Sequence, residues 1–254
     1  MNLMTLGLFD LAGPVLSWLD QALAAVVPAA GRLVLWGLVA AILSMALYAA
    51  LSPQHRLRRV RDDAVEARRA LDRFEGSFEE ARPLMARMFS TSMKQLGLVL
   101  APAVLASLPL LFMLAWLHGA FSYTLPERPG AVDLRTQPEG YEAVVQPSQV
   151  ASYSGIPVVE TPSLVVRDGR GQVVEERPLN APVTTLHKEQ WWNLLIANPL
   201  GYLADDSPLE LVELDLPRLE VLPVGPWWMR TWEFVFFTTL VAASLAIKFL
   251  FRLV

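Results

Sequence analysis

The sequence predicts a membrane α-helical protein with three transmembrane helices, a cytosolic helical hairpin or coiled coil, and a small, mostly β extracytosolic domain. Of the 254 residues 54% are hydrophobic and 18% are charged, with a mean hydropathy of +0.37, whereas about 25% of an ordinary soluble domain is charged. Three strongly apolar runs are of membrane-spanning length. A charged stretch with helical periodicity separates the first two runs, and an acidic, proline-rich region separates the last two.

The first predicted span, 31–53, contains an uncharged run from Leu33 to Leu51. At 1.5 Å per residue, such a run crosses the roughly 30 Å of hydrocarbon in a bilayer. The basic cluster HRLRRVR follows it and marks the cytosolic side under the positive-inside rule. The N-terminus is therefore predicted to lie outside the cytosol.

The second predicted span, 95–118, is apolar from Leu96 onward apart from Ser107, and it carries Pro102 and Pro109. Each proline removes an internal hydrogen bond and bends the helix, so this span is expected to pack on protein or line a wet cavity.

The third predicted span, 230–254, runs from about Trp232 to Leu250. Trp227 and Trp228 precede it, as is typical of a membrane interface. Basic residues near its end predict a cytosolic C-terminus.

Residues 54–94 predict a cytosolic helical hairpin with ten Lys/Arg and seven Asp/Glu. Gly76–Ser77 supplies the turn between a helix over Pro53 to Glu75 and a return helix that begins at about Phe78. Pro83 is tolerated in the first turn of the return helix. The alternative is one long helix paired with a second protomer, in which Pro83 costs about 3 kcal/mol, so the hairpin is favoured. Apolar residues repeat at a 3-4 spacing typical of a helical seam: Leu57, Val60, Ala64, Ala67, Leu71, Phe74, Phe78, Ala81, Met85 and Met88.

The N-terminal segment, 1–30, is apolar but interrupted by Asp10, Pro14 and Asp20. No Lys or Arg precedes Arg32, so the basic start of a secretory signal is missing. An amphipathic helix in the membrane interface, with Trp18 at headgroup depth, fits this pattern. An apolar lead-in packed on the other spans fits equally, and the segment could also cross the membrane.

Residues 119–229 predict an acidic β domain, with seven Lys/Arg and fifteen Asp/Glu. The run VVRDGRGQVVEE is typical of a β-hairpin with Asp168 to Gly171 at its tip. A short helix is predicted over Lys188 to Asn198, and an extended stretch over Leu209 to Val224. The predicted strands are Ala131 to Arg135, Tyr141 to Val145, Ile156 to Val159, Ser163 to Arg167, Gln172 to Glu176 and Pro182 to Leu186.

The residues contain no enzyme motif: GxSxG, Walker, HExxH and GxGxxG patterns are all missing. There is no cysteine, and His55, His118 and His187 lie far apart in the chain. The sequence therefore predicts no catalytic residue, cofactor, metal or nucleic-acid partner.

Three groups of residues stand out as candidates for binding. Met85, Met88 and Met93, with Phe89, lie where the hairpin meets the membrane, and methionine suits contacts with varied apolar partners. The basic residues Arg87, Lys94, Lys248 and Arg252 are predicted near the cytosolic surface. The proline kinks at Pro102 and Pro109 are the third group, and they would open a cavity between spans two and three. Helix packing and topology alone explain the same residues.

The run from Met88 to Tyr123 resembles the second span of short, three-span members of the YidC/Oxa insertase superfamily. It contains a Met-containing coiled coil, a Pro-bearing span and the closing pair Trp116–Leu117. Archaeal YidC-like proteins and the third subunit of the ER membrane complex share these features. The final run WWMRTWEFVFFTTLVAASLAIKFLFRLV is similar to their last span. The resemblance implies a partly polar groove, open to cytosol and lipid, that lowers the cost of moving a polar segment into the membrane.

We therefore expect a multi-pass protein of the bacterial inner membrane that assists insertion or assembly of membrane proteins. The alternative is a structural or accessory subunit that holds partners through its spans and β domain. The expected partners are membrane proteins, the lipid bilayer and a periplasmic partner of the β domain. An insertase is expected to expose polar groups in a lipid-open cavity, whereas a fixed subunit buries them. The candidate contact residues are Met85, Met88, Phe89, Met93, Lys94, Pro102, Ser107, Pro109, Thr238, Thr239, Ser244 and Lys248.

Overall fold

The computed structural model describes residues 7–52, 54–125, 132–147 and 162–251. The chain forms two compact units. The first contains residues up to Ala30 together with Phe112–Phe234, and the second contains Gly31–Leu111 together with residues from Val235 onward. The N-terminal segment and the last turns of the second apolar helix thus belong to the same unit as the β domain.

Five α-helices occur in the described chain. A 3-10 turn over Leu8–Ala12 leads into α1 (Gly13–Ala24), followed by α2 (Ala29–Leu51), α3 (Gln54–Asp72), α4 (Phe78–Phe121) and α5 (Trp232–Phe251). Helices α2, α4 and α5 are long and apolar enough to cross a membrane, which confirms three apolar helices at the predicted positions. Only 11 to 28% of the residues in their most apolar stretches are buried, so most of their surface is left for lipid or for other proteins.

Helices α2 and α5 approach each other closely at Gly37. A Cβ atom placed on Gly37 would lie 2.9 Å from the Cβ of Thr239 and 3.2 Å from the carbonyl oxygen of Phe236. Ala40 and Ala41, one turn further along α2, are buried as well. Small residues permit such close approach of apolar helices, where dispersion contacts replace the hydrophobic effect as the driving force.

Replacing Gly37 with leucine is expected to destabilise the protein by about 1–3 kcal/mol, because the new side chain overlaps Thr239. The measurement is the thermal unfolding midpoint of the purified protein in mild detergent. Gly97→Leu is the matched control, since a Cβ on Gly97 of α4 meets no atom within 4 Å. An equal shift for both variants would contradict the close contact.

The charged region folds as two helices, α3 and α4, separated by a turn at residues 73–77. The backbone N–H of Ser77 donates to Oε2 of Glu80 at 3.3 Å, which is one half of a capping box at the start of α4. The first helix ends at Asp72, a turn earlier than the predicted Glu75. Pro83 lies in the second turn of α4 instead of the first, because α4 begins at Phe78.

The predicted apolar seam is correct on α3 and wrong in part on α4. Ala67 is buried and the neighbouring seam residues of α3 are half-buried, whereas Phe78 and Met85 are exposed. Ala81 and Met88 are half-buried as predicted, and Leu84 is half-buried in place of Met85. Ala81 and Met88 follow Ala67 at multiples of seven residues, so one of the two seam positions continues across the turn and the other moves by one residue. The side chain of Leu57 lies outside the described residues.

In the described part of the β region the strands form two three-stranded antiparallel sheets. One has the order β1 (Leu134–Gln137), β6 (Leu211–Leu214), β5 (Thr185–His187). The other has the order β2 (Glu142–Pro147), β3 (Pro162–Arg167), β4 (Val173–Pro178). Both sheets contribute side chains to one hydrophobic core: Val132, Val145, Leu164, Val166, Leu179, Leu186, Leu200, Leu203, Leu209, Val212, Leu214 and Leu216.

The β3–β4 hairpin confirms the prediction from VVRDGRGQVVEE. At its tip, Oδ1 of Asp168 accepts hydrogen bonds from the N–H groups of Arg170 (2.8 Å) and Gln172 (2.9 Å).

Other parts of the β prediction need correction. The helix predicted over Lys188 to Asn198 is only a 3-10 turn, Trp191–Leu194. The extended stretch predicted over Leu209 to Val224 forms a strand only over Leu211–Leu214. The strand predicted at Ala131 begins at Leu134, and the one predicted over Ile156 to Val159 lies outside the described residues.

Candidate functional site

The methionine-rich part of α4 divides between two faces of the helix. Met88 is half-buried on the same face as Ala81 and Leu84. Met85, Phe89 and Met93 are exposed, and Leu96 and Leu100 extend the same exposed face into the apolar part of α4. These five residues, which we call the α4 stripe, expose between 40% and 64% of their surface. Their spacing of four, four, three and four residues keeps them on one face of the helix.

Two residues of the predicted basic group lie within the sequence range of the α4 stripe. The described residues of the group are all exposed. Arg87 and Lys94 lie on α4, and Lys248 lies near the end of α5. Arg252 is outside the described residues. Lys94 falls between Met93 and Leu96, so a positive charge marks the point where the α4 stripe passes from the charged hairpin into the apolar helix.

The candidate polar residues of the spans are partly satisfied by their own helices. The hydroxyl of Ser107 donates to the carbonyl of Val104 at 2.8 Å, and that of Thr239 donates to the carbonyl of Val235 at 2.8 Å. Thr239 also faces Gly37, whereas the adjacent Thr238 is exposed.

The remaining candidates in the spans differ in burial. Ser244 and Pro109 are half-buried, and Pro102 is buried. The structure therefore shows helix packing at Thr239 and an exposed hydroxyl at Thr238.

A short polar network joins the C-terminal end of α4 to the N-terminal end of α5. The indole N–H of Trp232 donates to Oγ of Ser122 at 2.9 Å, and Oγ of Ser122 lies 3.0 Å from Nδ1 of His118. Since Ser122 accepts from Trp232, its own proton is available to the imidazole nitrogen. His118, predicted at the outer end of the second span, thus helps to fix the start of α5.

The N-terminal segment contacts protein through a face that carries Ser17 and Asp20. Oγ of Ser17 accepts a hydrogen bond of 2.8 Å from the indole N–H of Trp116. Phe9 packs edge-to-face on Phe112, with ring centroids 5.3 Å apart, and Asp20 is buried. The segment thus packs on the last turns of α4, as the lead-in hypothesis expects, and forms a helix, as the amphipathic hypothesis expects.

Asp10 links this segment to the β domain, and sequence reasoning did not assign it a role. Its Oδ2 accepts hydrogen bonds from the backbone N–H groups of Gly7 (3.1 Å) and Ala197 (2.7 Å). The N–H of Phe9 donates to the carbonyl of Leu195 at 2.8 Å. The only sequence signal was an aspartate inside an apolar run, which does not identify its distant partner.

A cavity of about 750 Å³ lies between α1, the last turns of α4 and residues 197–202. All of these elements belong to the first unit. Its walls include the small residues Gly13, Ala115, Gly119 and Ala120, together with Trp116. Most of the lining residues are apolar or glycine, as is typical of pockets for apolar ligands.

Replacing Asp10 with alanine is expected to leave two backbone N–H groups without their acceptor, at a cost of about 1–3 kcal/mol. Hydrogen exchange followed by mass spectrometry is expected to show faster exchange at residues 7–12 and 194–198. Asp168→Ala is the matched control, because it removes two similar bonds in the β3–β4 turn and is expected to affect only that turn. Unchanged exchange at Ala197 in the Asp10 variant would contradict the link.

Comparison with known proteins finds no family model, no curated protein and no solved structure that matches this chain. Its function is therefore inferred from the helices, the exposed surfaces and the cavity themselves.

Proposed function

We propose that this protein crosses the bacterial inner membrane three times and assists the insertion or assembly of other membrane proteins. In this proposal α2, α4 and α5 are the spans, the α3–α4 hairpin lies in the cytosol, and the β region lies outside it. The four arginines that follow α2, namely Arg56, Arg58, Arg59 and Arg61, support a cytosolic hairpin under the positive-inside rule. With three spans, the N-terminus lies outside and the C-terminus inside.

The observation that carries the proposal is the α4 stripe. Exposed large apolar side chains are costly in water when they form a continuous patch, and such patches mark binding sites or membrane contacts. The stripe starts in the charged hairpin, where Arg82 and Arg87 require water nearby, and continues into the apolar run of the same helix. A contact surface that begins in the cytosol and ends in the membrane suits a segment that moves from one to the other.

The side chains of the stripe fit a client of variable sequence. Met85 and Met93 are flexible and polarisable, so they adapt to different apolar side chains, and Phe89 adds a large apolar contact. A charged residue at the centre of a bilayer costs about 2.5–3.5 kcal/mol on insertion scales. A helix that holds the apolar part of a client at the membrane edge lowers the barrier for the polar part that must follow.

A second candidate function is a fixed subunit of a larger complex. The observation that favours it is the packing of Thr239 on Gly37, together with the internal hydrogen bonds of Ser107 and Thr239. A groove that lowers the cost of polar insertion would leave such hydroxyls open to the client. In the subunit hypothesis, a permanent partner covers the α4 stripe instead.

Reconstitution tests the proposed function. Vesicles with and without the purified protein are supplied with a model single-span protein that has a short polar N-terminal tail and is made in a cell-free system. Protection of the tail from added protease reports its insertion. The proposal expects protection that rises with the amount of protein in the vesicles, and protection equal to that in empty vesicles would overturn it.

A further inference from the structure

The N-terminal segment has its amphipathic faces reversed relative to a water-soluble helix. Three of its polar side chains, Asp10, Ser17 and Asp20, lie on the face that packs on protein, whereas Gln21 near the end of α1 is exposed. The opposite face is mainly apolar and exposes between 39% and 69% of each of these residues: Leu8, Leu11, Val15, Trp18 and Leu19. An apolar outer face over a polar inner face is stable in lipid and unfavourable in water.

Several polar side chains that line the cavity behind this segment are already hydrogen-bonded within the protein. Ser17 is occupied by Trp116, and Oδ2 of Asp10 accepts two backbone N–H groups. The side chain of Asn198 bonds to the carbonyl of Thr185 (2.7 Å) and to the N–H of Leu200 (3.0 Å). The hydroxyl of Tyr202 accepts the N–H of Asn198 at 3.0 Å. The lining therefore presents mainly apolar surface to whatever enters.

We propose that this cavity binds one acyl chain of a phospholipid from the leaflet on the side of the β domain. The cavity is lined by Ala115, Trp116, Gly119 and Ala120, the last turns of the apolar helix α4. The outer face of the segment that forms its other wall is suited to lipid. An acyl chain is thus the apolar group that reaches this cavity without crossing water. The site does not depend on the insertion activity proposed above.

Gly119 lies in the wall of the cavity and leaves room for a larger side chain. A Cβ atom placed there meets no atom within 4 Å, although the residue lies within α4 and lines the cavity. Leucine at this position would enter the space without a clash and would favour the helix relative to glycine. Gly97 is the matched control, since its Cβ would also meet no atom within 4 Å and it does not line this cavity.

The first test is native mass spectrometry of the full chain, purified in mild detergent and mixed with dioleoyl phosphatidylethanolamine. The wild type and Gly97→Leu are expected to keep a phospholipid that Gly119→Leu loses, with wild-type unfolding temperature in all three. Equal retention by Gly119→Leu, or no lipid retained by the wild type, would overturn the proposal.

A second measurement requires no variant. A phospholipid with a photoreactive diazirine in its acyl chain is activated in vesicles that contain the wild-type protein, and the adducts are located by peptide mass spectrometry. Adducts are expected within residues 115–120 or 197–202. Adducts confined to the exposed face of α1 and to the rest of the spans would show lipid around the protein but an empty cavity, which refutes the site.

Discussion

Replacing Phe89 and Met93 together with glutamate is expected to reduce insertion of a model single-span protein at least tenfold. Both side chains are exposed on the α4 stripe, so the variant is expected to fold normally. Two carboxylates on the contact surface would have to lose water when an apolar client binds. A free-energy cost of about 1.4 kcal/mol already weakens binding tenfold. The cost of placing one charge in an apolar environment is larger than that.

Ser90→Glu is the control for this variant. Ser90 is exposed on the same helix, but it lies one residue beyond Phe89 and hence about 100° further around the helix axis. Ser90→Glu adds a negative charge next to Phe89 along α4 and leaves the five residues of the α4 stripe unchanged. Equal insertion by the double variant and the wild type, at equal protein levels, would rule out the stripe as the client contact.

Replacing Leu164 with alanine is expected to reduce the free energy of unfolding of the β domain by about 2–5 kcal/mol. Leu164 is fully buried in β3, the central strand of its sheet, and belongs to the common core of both sheets. The loss of side-chain volume leaves a cavity in a closely packed core. The measurement is resistance of the domain to a pulse of protease in increasing urea, with the full chain in detergent.

Val173→Ala in β4 is the control for the core substitution, because the valine exposes 53% of its surface. A change below about 0.5 kcal/mol is expected there, as for most surface substitutions. If both substitutions shift the urea midpoint equally, the assignment of Leu164 to a stabilising core is wrong.

The elements that could be predicted from sequence are those with strong local signals. Long apolar runs located α2, α4 and α5, because a helix across hydrocarbon needs many consecutive apolar residues. The glycine-rich sequence at the tip predicted the β3–β4 hairpin, because tight hairpin turns favour a small set of residues that includes glycine and aspartate. The exact buried face of α4 was harder to predict: Ala81 and Met88 are half-buried as expected, whereas Leu84 is half-buried in place of Met85, and no local pattern indicates that change.

The contacts between distant segments could not be predicted. The pairing of β1 and β5 with β6 joins strands separated by many residues, and the sequence pattern of each strand suits several partners. The bond between Asp10 and Ala197 spans 187 residues, more than either of these pairings. Such contacts form only when the whole domain folds. The cavity beside α1 is built from contacts of this kind, so no sequence motif indicates it.

The candidate contact residues were only partly informative before the structure was known. Phe89 and Met93 lie on a common exposed face, which a helical repeat can indicate. Thr238 and Thr239 are adjacent in sequence, yet one is exposed and the other packs on Gly37. The sequence shows which residues of a span are polar. The packing of the neighbouring helix determines which of these residues stay exposed and can contact another molecule.

The most direct test of the account is pulse-chase photo-crosslinking in native membranes, with a photoreactive amino acid at Phe89. We expect adducts with many newly made membrane proteins during the pulse, and we expect these adducts to disappear during the chase as clients leave the α4 stripe. The same reactive group at Ser90 is expected to give few adducts. A single adduct that persists through the chase would contradict the account and would identify a permanent partner instead.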